Sequence, residues 1–178
     1  MTRYVVLMRA INTGKRKAPM ADLRDACRDA GFADVESYIQ SGNLVLSSDE
    51  DAAAVEAAIE RVVQDRFGFF AEAIARTAKQ WSAYAAGSPF PEVEAERPGY
   101  LHLCLAKRVP NTEAAEQLMT RATLGERVVL VGDALWVDFK GGAGQSKLLP
   151  GVFDKIVGST VTARNWNTVL KLQAMASA

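Results

Sequence analysis

Histidine is almost missing from this chain: His102 is the only one in 178 residues. That excludes a histidine-based zinc site by count. It also leaves every serine and cysteine without a histidine placed by a known motif to activate it. In 101–105 (LHLCL), His102 alternates with leucines, as a structural strand residue does. Cysteine is scarce too. Cys27 and Cys104 lie far apart with no CxxC spacing, so no disulfide or metal framework is expected, and a reducing compartment fits best. Net charge is absent, with 21 basic against 21 acidic residues, which disfavours a dedicated nucleic-acid binder. No window approaches the roughly 20 apolar residues of a membrane span. The opening run MTRYVVLMRAIN is too short for a leader and is broken by Arg9. No carboxylate pair stands out. A cytoplasmic protein with no cofactor, no metal and no membrane partner is the expectation, as a monomer or weak homodimer.

What is present is a globular composition, 49% hydrophobic, long enough to bury a core without staples. The neutral total conceals a pattern. Residues 1–28 hold seven basic and two acidic side chains, and 139–178 hold five and one. The stretch between is acidic. The two ends form a positive face if the fold brings them together; otherwise this is segregated surface charge.

Hydrophobic periodicity predicts an α+β fold. Residues 4–8 (YVVLM) read as a buried strand, followed by a polar loop over 9–18. Pro19 opens a helix whose buried face carries Met20, Leu23, Cys27 and Ala30, with Gly31 as its stop. Strands over 35–40 and 44–47 join at Ser41-Gly42-Asn43. Ser47 or Ser48 is expected to cap a second helix, with Val55, Ile59, Val62, Val63 and Phe67 inward and Gly68 at its end. A strand over 70–76 completes a βαββαβ order. Thr77 and Gln80 make a capping-box pattern before a helix with Trp81 and Tyr84. Residues 87–99, rich in proline and glutamate, read as a connector. The order then repeats: a strand over 100–107, and a helix capped by Asn111 with Ala115, Leu118, Met119 and Ala122 inward. A hairpin over 126–131 and 134–139 turns at Gly132-Asp133. A glycine-rich loop over 140–145 leads to a helix ending near Gly158, then a short strand over 161–163 and a last helix from about Trp166 to Ala176. The expectation is two ferredoxin-like (βαββαβ) half-domains in tandem with a C-terminal helix. Their limits are 1–77, a helix and connector over 78–99, and 100–178.

Four loops carry candidate chemistry. In the first, Arg9, Asn12, Gly14, Lys15, Arg16 and Lys17 precede a helix, where glycine, cations and the helix dipole favour an anion. The plainer reading is a solvated loop. In the second, Lys140-Gly-Gly-Ala-Gly-Gln-Ser-Lys147 is phosphate-loop-like in composition, but lacks the GxxxxGK[ST] spacing. Ser146 and Lys147 stand as an anion site, or Ser146 simply as a helix cap. In the third, Arg164-Asn-Trp-Asn-Thr168, Arg164 suits a phosphate or carboxylate and Trp166 suits stacking. Alternatively, Asn165 or Asn167 caps the last helix while Trp166 packs between the halves. In the fourth, Gln40, Ser41 and Asn43 flank a turn, either as ligand contacts or as turn formers.

The runs Tyr4-Val-Val-Leu-Met-Arg-Ala-Ile-Asn-Thr-Gly14, Pro19-Met-Ala-Asp-Leu-Arg24, Tyr38-Ile-Gln-Ser-Gly-Asn43, Ser146-Lys-Leu148 and Ala163-Arg-Asn-Trp-Asn-Thr168 resemble the bacterial family known as domain of unknown function 1697. That family typically reads Arg-Gly-Ile-Asn-Val-Gly in the first loop, where this chain has Ala10 and Thr13. The resemblance implies a two-part ferredoxin-like fold and no activity. The expected function is binding of an anionic small molecule, a nucleotide or phosphorylated metabolite, where these loops converge between the halves. Arg9, Lys17, Lys147 and Arg164 would be charge partners; Asn12, Gln40, Asn43 and Asn167 would be hydrogen-bond readers; Trp166 would be a wall. A nucleic-acid binder and an enzyme of unspecified reaction are the alternatives.

Overall fold

A computed structural model describes residues 1–178. It divides into two compact units, Met1–Ser82 with Leu172–Ala178, and Ala83–Lys171. The first contains β1 (Thr2–Met8), α1 (Met20–Asp29), β2 (Ala33–Tyr38), β3 (Asn43–Ser48), α2 (Ala52–Phe67), β4 (Ala73–Thr77) and most of α3 (Ala78–Ala85). The second contains α4 (Pro91–Glu96), a 3-10 turn (Pro98–Tyr100), β5 (Leu101–Ala106), α5 (Ala114–Met119), β6 (Arg127–Val131), β7 (Ala134–Asp138), α6 (Pro150–Val157), β8 (Val161–Asn165) and the start of α7 (Trp166–Ala176).

Each unit holds one four-stranded sheet, ordered β2-β3-β1-β4 in the first and β6-β7-β5-β8 in the second. Every pairing is antiparallel. In the first unit Tyr4, Val6, Met8, Leu44, Leu46, Ala73 and Ala75 pack with Leu23 and Cys27 of α1 and Val55, Ile59 and Val63 of α2. The alternate residues Val5, Leu7, Val45 and Ile74 are buried as well. In the second unit Cys104, Ala106, Leu135, Val137 and Val161 pack with Leu118 and Phe153, while Leu103, Leu105 and Trp136 on the other face are also buried. Strands buried on both faces need unbroken apolar runs rather than alternation, and 4–8 and 103–106 supply them. Burial pushes the thiols of Cys27 and Cys104 up to about 12, so both behave as inert core residues.

Several local expectations are corrected. Ser47 and Ser48 belong to β3, whose pairing with β1 runs to Thr2↔Ser48. Asp51 caps α2 instead, its carboxylate accepting from Ala54 N at 2.8 Å. The fourth strand starts at Ala73, not at residue 70. The connector contains α4, opened by Pro91 with Glu92 and Glu94 in its first turn. Ser146 does not cap α6, which begins at Pro150. Met119 is 41% exposed rather than inward. The Thr77–Gln80 capping box forms reciprocally: Gln80 N donates to Thr77 Oγ1 at 3.2 Å and Thr77 N to Gln80 Oε1 at 2.9 Å.

Candidate functional site

The first and fourth candidate loops meet at one end of the first sheet, where β1 and β2 end and β3 begins. Leu7 and Tyr38 both register against Asn43. Loop 9–19 is tightly wound. Ala10 (φ +53°), Asn12 (φ +57°) and Gly14 (φ +54°) are all left-handed. A glycine at position 10, as in the family's usual run, therefore answers to backbone conformation; Ala10 itself is exposed.

Asn12 is the clip of this end. Its Oδ1 accepts from Ala18 N at 2.8 Å. Its Nδ2 donates to Ala18 O at 2.9 Å and to Gln40 O at 2.8 Å, so one side chain closes its own loop and ties it to the next. Arg16 is also committed internally, donating to Ala10 O and Phe70 O, each at 2.7 Å, with its guanidinium 5.0 Å from the Phe69 ring centroid. Buried Asn43 donates to Tyr38 O and Ser41 Oγ, both at 3.0 Å. Gly42 sits at φ +79°, where a Cβ would collide with Ile11 and Met8; its carbonyl accepts from Met8 N at 2.9 Å. Asn12 and Asn43 thus shape the surface from within, while Gly14, Lys15, Lys17, Gln40 and Ser41 are exposed on it. Arg9 is half-buried, its backbone N–H donating to Glu72 O at 2.9 Å.

In the second unit, Ser146 is a strut. Its hydroxyl donates to the Glu126 carboxylate at 2.6 Å and accepts from Leu148 N at 3.0 Å. Burial alone would raise the Glu126 pKa. The Ser146 hydroxyl and the backbone N–H groups of Glu126, Leu124 and Thr123 outweigh it and hold the carboxyl below its usual range. Lys147 is exposed. The 164–167 segment is held by other partners. Arg164 is buried and donates to Thr162 Oγ1 and Ala163 O, both at 2.8 Å. Desolvation lowers its guanidinium to about 10, still a cation at neutral pH. Asn165 caps α7, its Oδ1 accepting from Thr168 N at 3.0 Å. Trp166 packs on Trp136 at 5.7 Å between centroids, and Asn167 is exposed.

Reasoning from the sequence overlooked two arrangements. Arg76 repeats Arg164. Each is the penultimate residue of the last strand in its sheet and donates to the carbonyl before it, at 2.9 Å in Arg76. Each precedes a residue, Thr77 or Asn165, that caps the following helix. The shared Ala-Arg-cap string was the available signal. The second is an ionic cluster around fully buried Asp138. Arg97 grips the carboxylate with both terminal nitrogens at 3.2 Å, and Arg127 reaches it at 2.9 Å and Glu92 at 2.6 Å. Arg127 also lies 4.4 Å from the Phe90 ring centroid. No grouping of three or more His, Cys, Asp or Glu side chains is suited to a metal ion, and no helix is long and apolar enough to cross a membrane.

The model of a protein family of unknown function, DUF1697, matches residues 1–136. The chain belongs to the DUF1697 family. The matched stretch holds the Arg9–Gly14 and Tyr38–Asn43 strings; those at 146–148 and 163–168 lie beyond it. Among solved structures, this DUF1697 chain is similar to the conserved bacterial protein SP0830 from Streptococcus pneumoniae. The identity is 24%, over 100% of this chain and 99% of that one, with a TM-score of 0.77. That likeness is one of fold. No curated protein matches the chain.

Proposed function

We propose that this protein binds an anionic small molecule, a nucleotide or phosphorylated metabolite, at the loop end of the first unit. The observation that carries the reading is the Asn12 clip, which fuses loop 9–19 and turn 39–42 into one preorganised surface. Exposed Lys15, Lys17, Gln40 and Ser41 belong to these two segments, and half-buried Arg9 opens the first. Lysines supply the charge; Gln40, Ser41 and the left-handed backbone around Gly14 supply donors. In the second unit Lys147, Arg164 and Asn167 are separate candidates, at or beyond the ends of β7 and β8 near the start of β5, rather than at the end of β5 that matches the first unit's loops. The sheets favour a small ligand over RNA, because residues on both faces of each are buried and no aromatic platform is open. We also read each unit as a ferredoxin-like plait, its cores within 1–77 and 100–178. The repeated strand order supports this.

Thermal shift with phosphate, ATP and a hexose phosphate tests the reading. Ligand at about 100 times its Kd adds about 2.7 kcal/mol, a rise of roughly 5–10 °C for a chain of this size. Lys15→Ala/Lys17→Ala should abolish most of the rise. If no anion moves Tm, or the double variant responds unchanged, the reading fails.

A further inference from the structure

Ile39 occupies the left-handed region at φ +50° in the turn closing β2 and β3. A β-branched residue is poorly suited to that conformation. At the same end of the unit Asn12, Gly14 and Gly42 hold left-handed positions as residue types that tolerate them, and Ala10 is left-handed too but has no branch at Cβ. Ile39 cannot relax locally, because its neighbours are pinned on both sides. Asn43 Nδ2 holds Tyr38 O at 3.0 Å and Asn12 Nδ2 holds Gln40 O at 2.8 Å. Nor does burial offset the strain, since Ile39 is 51% exposed. A strained, apolar, solvent-facing side chain thus stands next to Gln40 and Ser41 in the proposed anion site. Strain that the free fold does not reward is found where a side chain has a task in the bound state.

Resting on the anion-site reading, we propose that Ile39 is the apolar contact of that site. The ligand is then an anion joined to an apolar ring or short chain, rather than inorganic phosphate or a fully hydroxylated sugar phosphate. The charged group lies on the lysine side and the apolar group against Ile39.

Isothermal titration with phenyl phosphate and inorganic phosphate separates the two ideas. Phenyl phosphate should bind about tenfold more tightly, a difference of about 1.4 kcal/mol. Ile39→Asn should bring the two ligands within about twofold, while raising Tm because asparagine accepts the left-handed backbone. Its higher Tm would show that the variant folds. Equal binding of both ligands to the native protein overturns the inference and leaves the anion site standing. Retention of the tenfold preference by Ile39→Asn also overturns it. If neither ligand binds, the anion site itself falls and this inference with it.

Discussion

Replacing Asn12 by aspartate isolates what its amide nitrogen does. Aspartate tolerates the left-handed backbone at φ +57° and keeps the oxygen that accepts from Ala18 N. It removes both Nδ2 donations, to Ala18 O and Gln40 O. Two neutral hydrogen bonds amount to about 1–3 kcal/mol. Turning a carboxylate toward two carbonyl oxygens adds a desolvation cost of about 1–3 kcal/mol more. The total, centred on about 4 kcal/mol, is a large share of the 5–15 kcal/mol by which domains are stable. For a chain of this length it lowers Tm by about 8–16 °C. Urea unfolding followed by far-UV circular dichroism measures the loss. Lowering the pH provides an internal control. The introduced carboxyl becomes a donor again when protonated, so the gap from the native protein should narrow between pH 7 and pH 4.5. Equal urea midpoints, or a gap indifferent to pH, would refute the clip.

Three further outcomes follow from the same geometry. Ala10→Gly should stabilise by about 0.5–1 kcal/mol, the left-handed penalty of about 1–2 kcal/mol less the backbone entropy glycine loses, read as a higher urea midpoint. Ser146→Ala removes a hydrogen bond to a carboxylate and should cost about 1.5–3 kcal/mol at pH 7. Because the folded Glu126 pKa is depressed, that contribution is present above the unfolded carboxyl pKa of about 4.3 and disappears as pH falls through the folded value. A Ser146→Ala deficit that does not shrink at all as the pH is lowered through the acid range would contradict this. Burial lowers the His102 pKa, and its Nδ1 is buried with no hydrogen-bond partner. The unfolded chain then takes up a proton below about pH 6.5 that the folded chain refuses, so stability falls as pH drops through that point. His102→Gln should flatten the decline between pH 7.5 and pH 5.5; an unaltered slope would show that His102 does not cause it.

Most of the element order was legible because it is local. Apolar runs marked the central strands, Gly68 and Gly158 take the left-handed conformation their stop role needs, and Trp166–Ala176 follows from Asn165 as its cap. Misreadings arose where tertiary pairing outvoted a local preference. Ser47 and Ser48 have the chemistry of helix caps, but register with Arg3 and Thr2 holds them in β3. Pro91 and Pro150 carried the true helix starts, each at a first helical position. The candidate site was half legible. Its residues could be named from polarity and spacing, but the bond from Asn12 to Gln40 spans 28 positions and no local pattern announces it. The same holds for Arg97 and Asp138, 41 positions apart.

The direct passage of strand into helix, at Thr77–Ala78 and Asn165–Trp166, governs which changes in chain length the protein tolerates. With no loop residue between the elements, one inserted amino acid cannot be absorbed as slack. It turns everything downstream by about 100° around the helix axis, given 3.6 residues per turn. At the second junction that swings Trp166 away from Trp136 and strips the cap from Thr168. Substitutions there alter stability by degrees, whereas a single-codon insertion re-aims an entire helix, and natural variation in length should be confined to the surface loops.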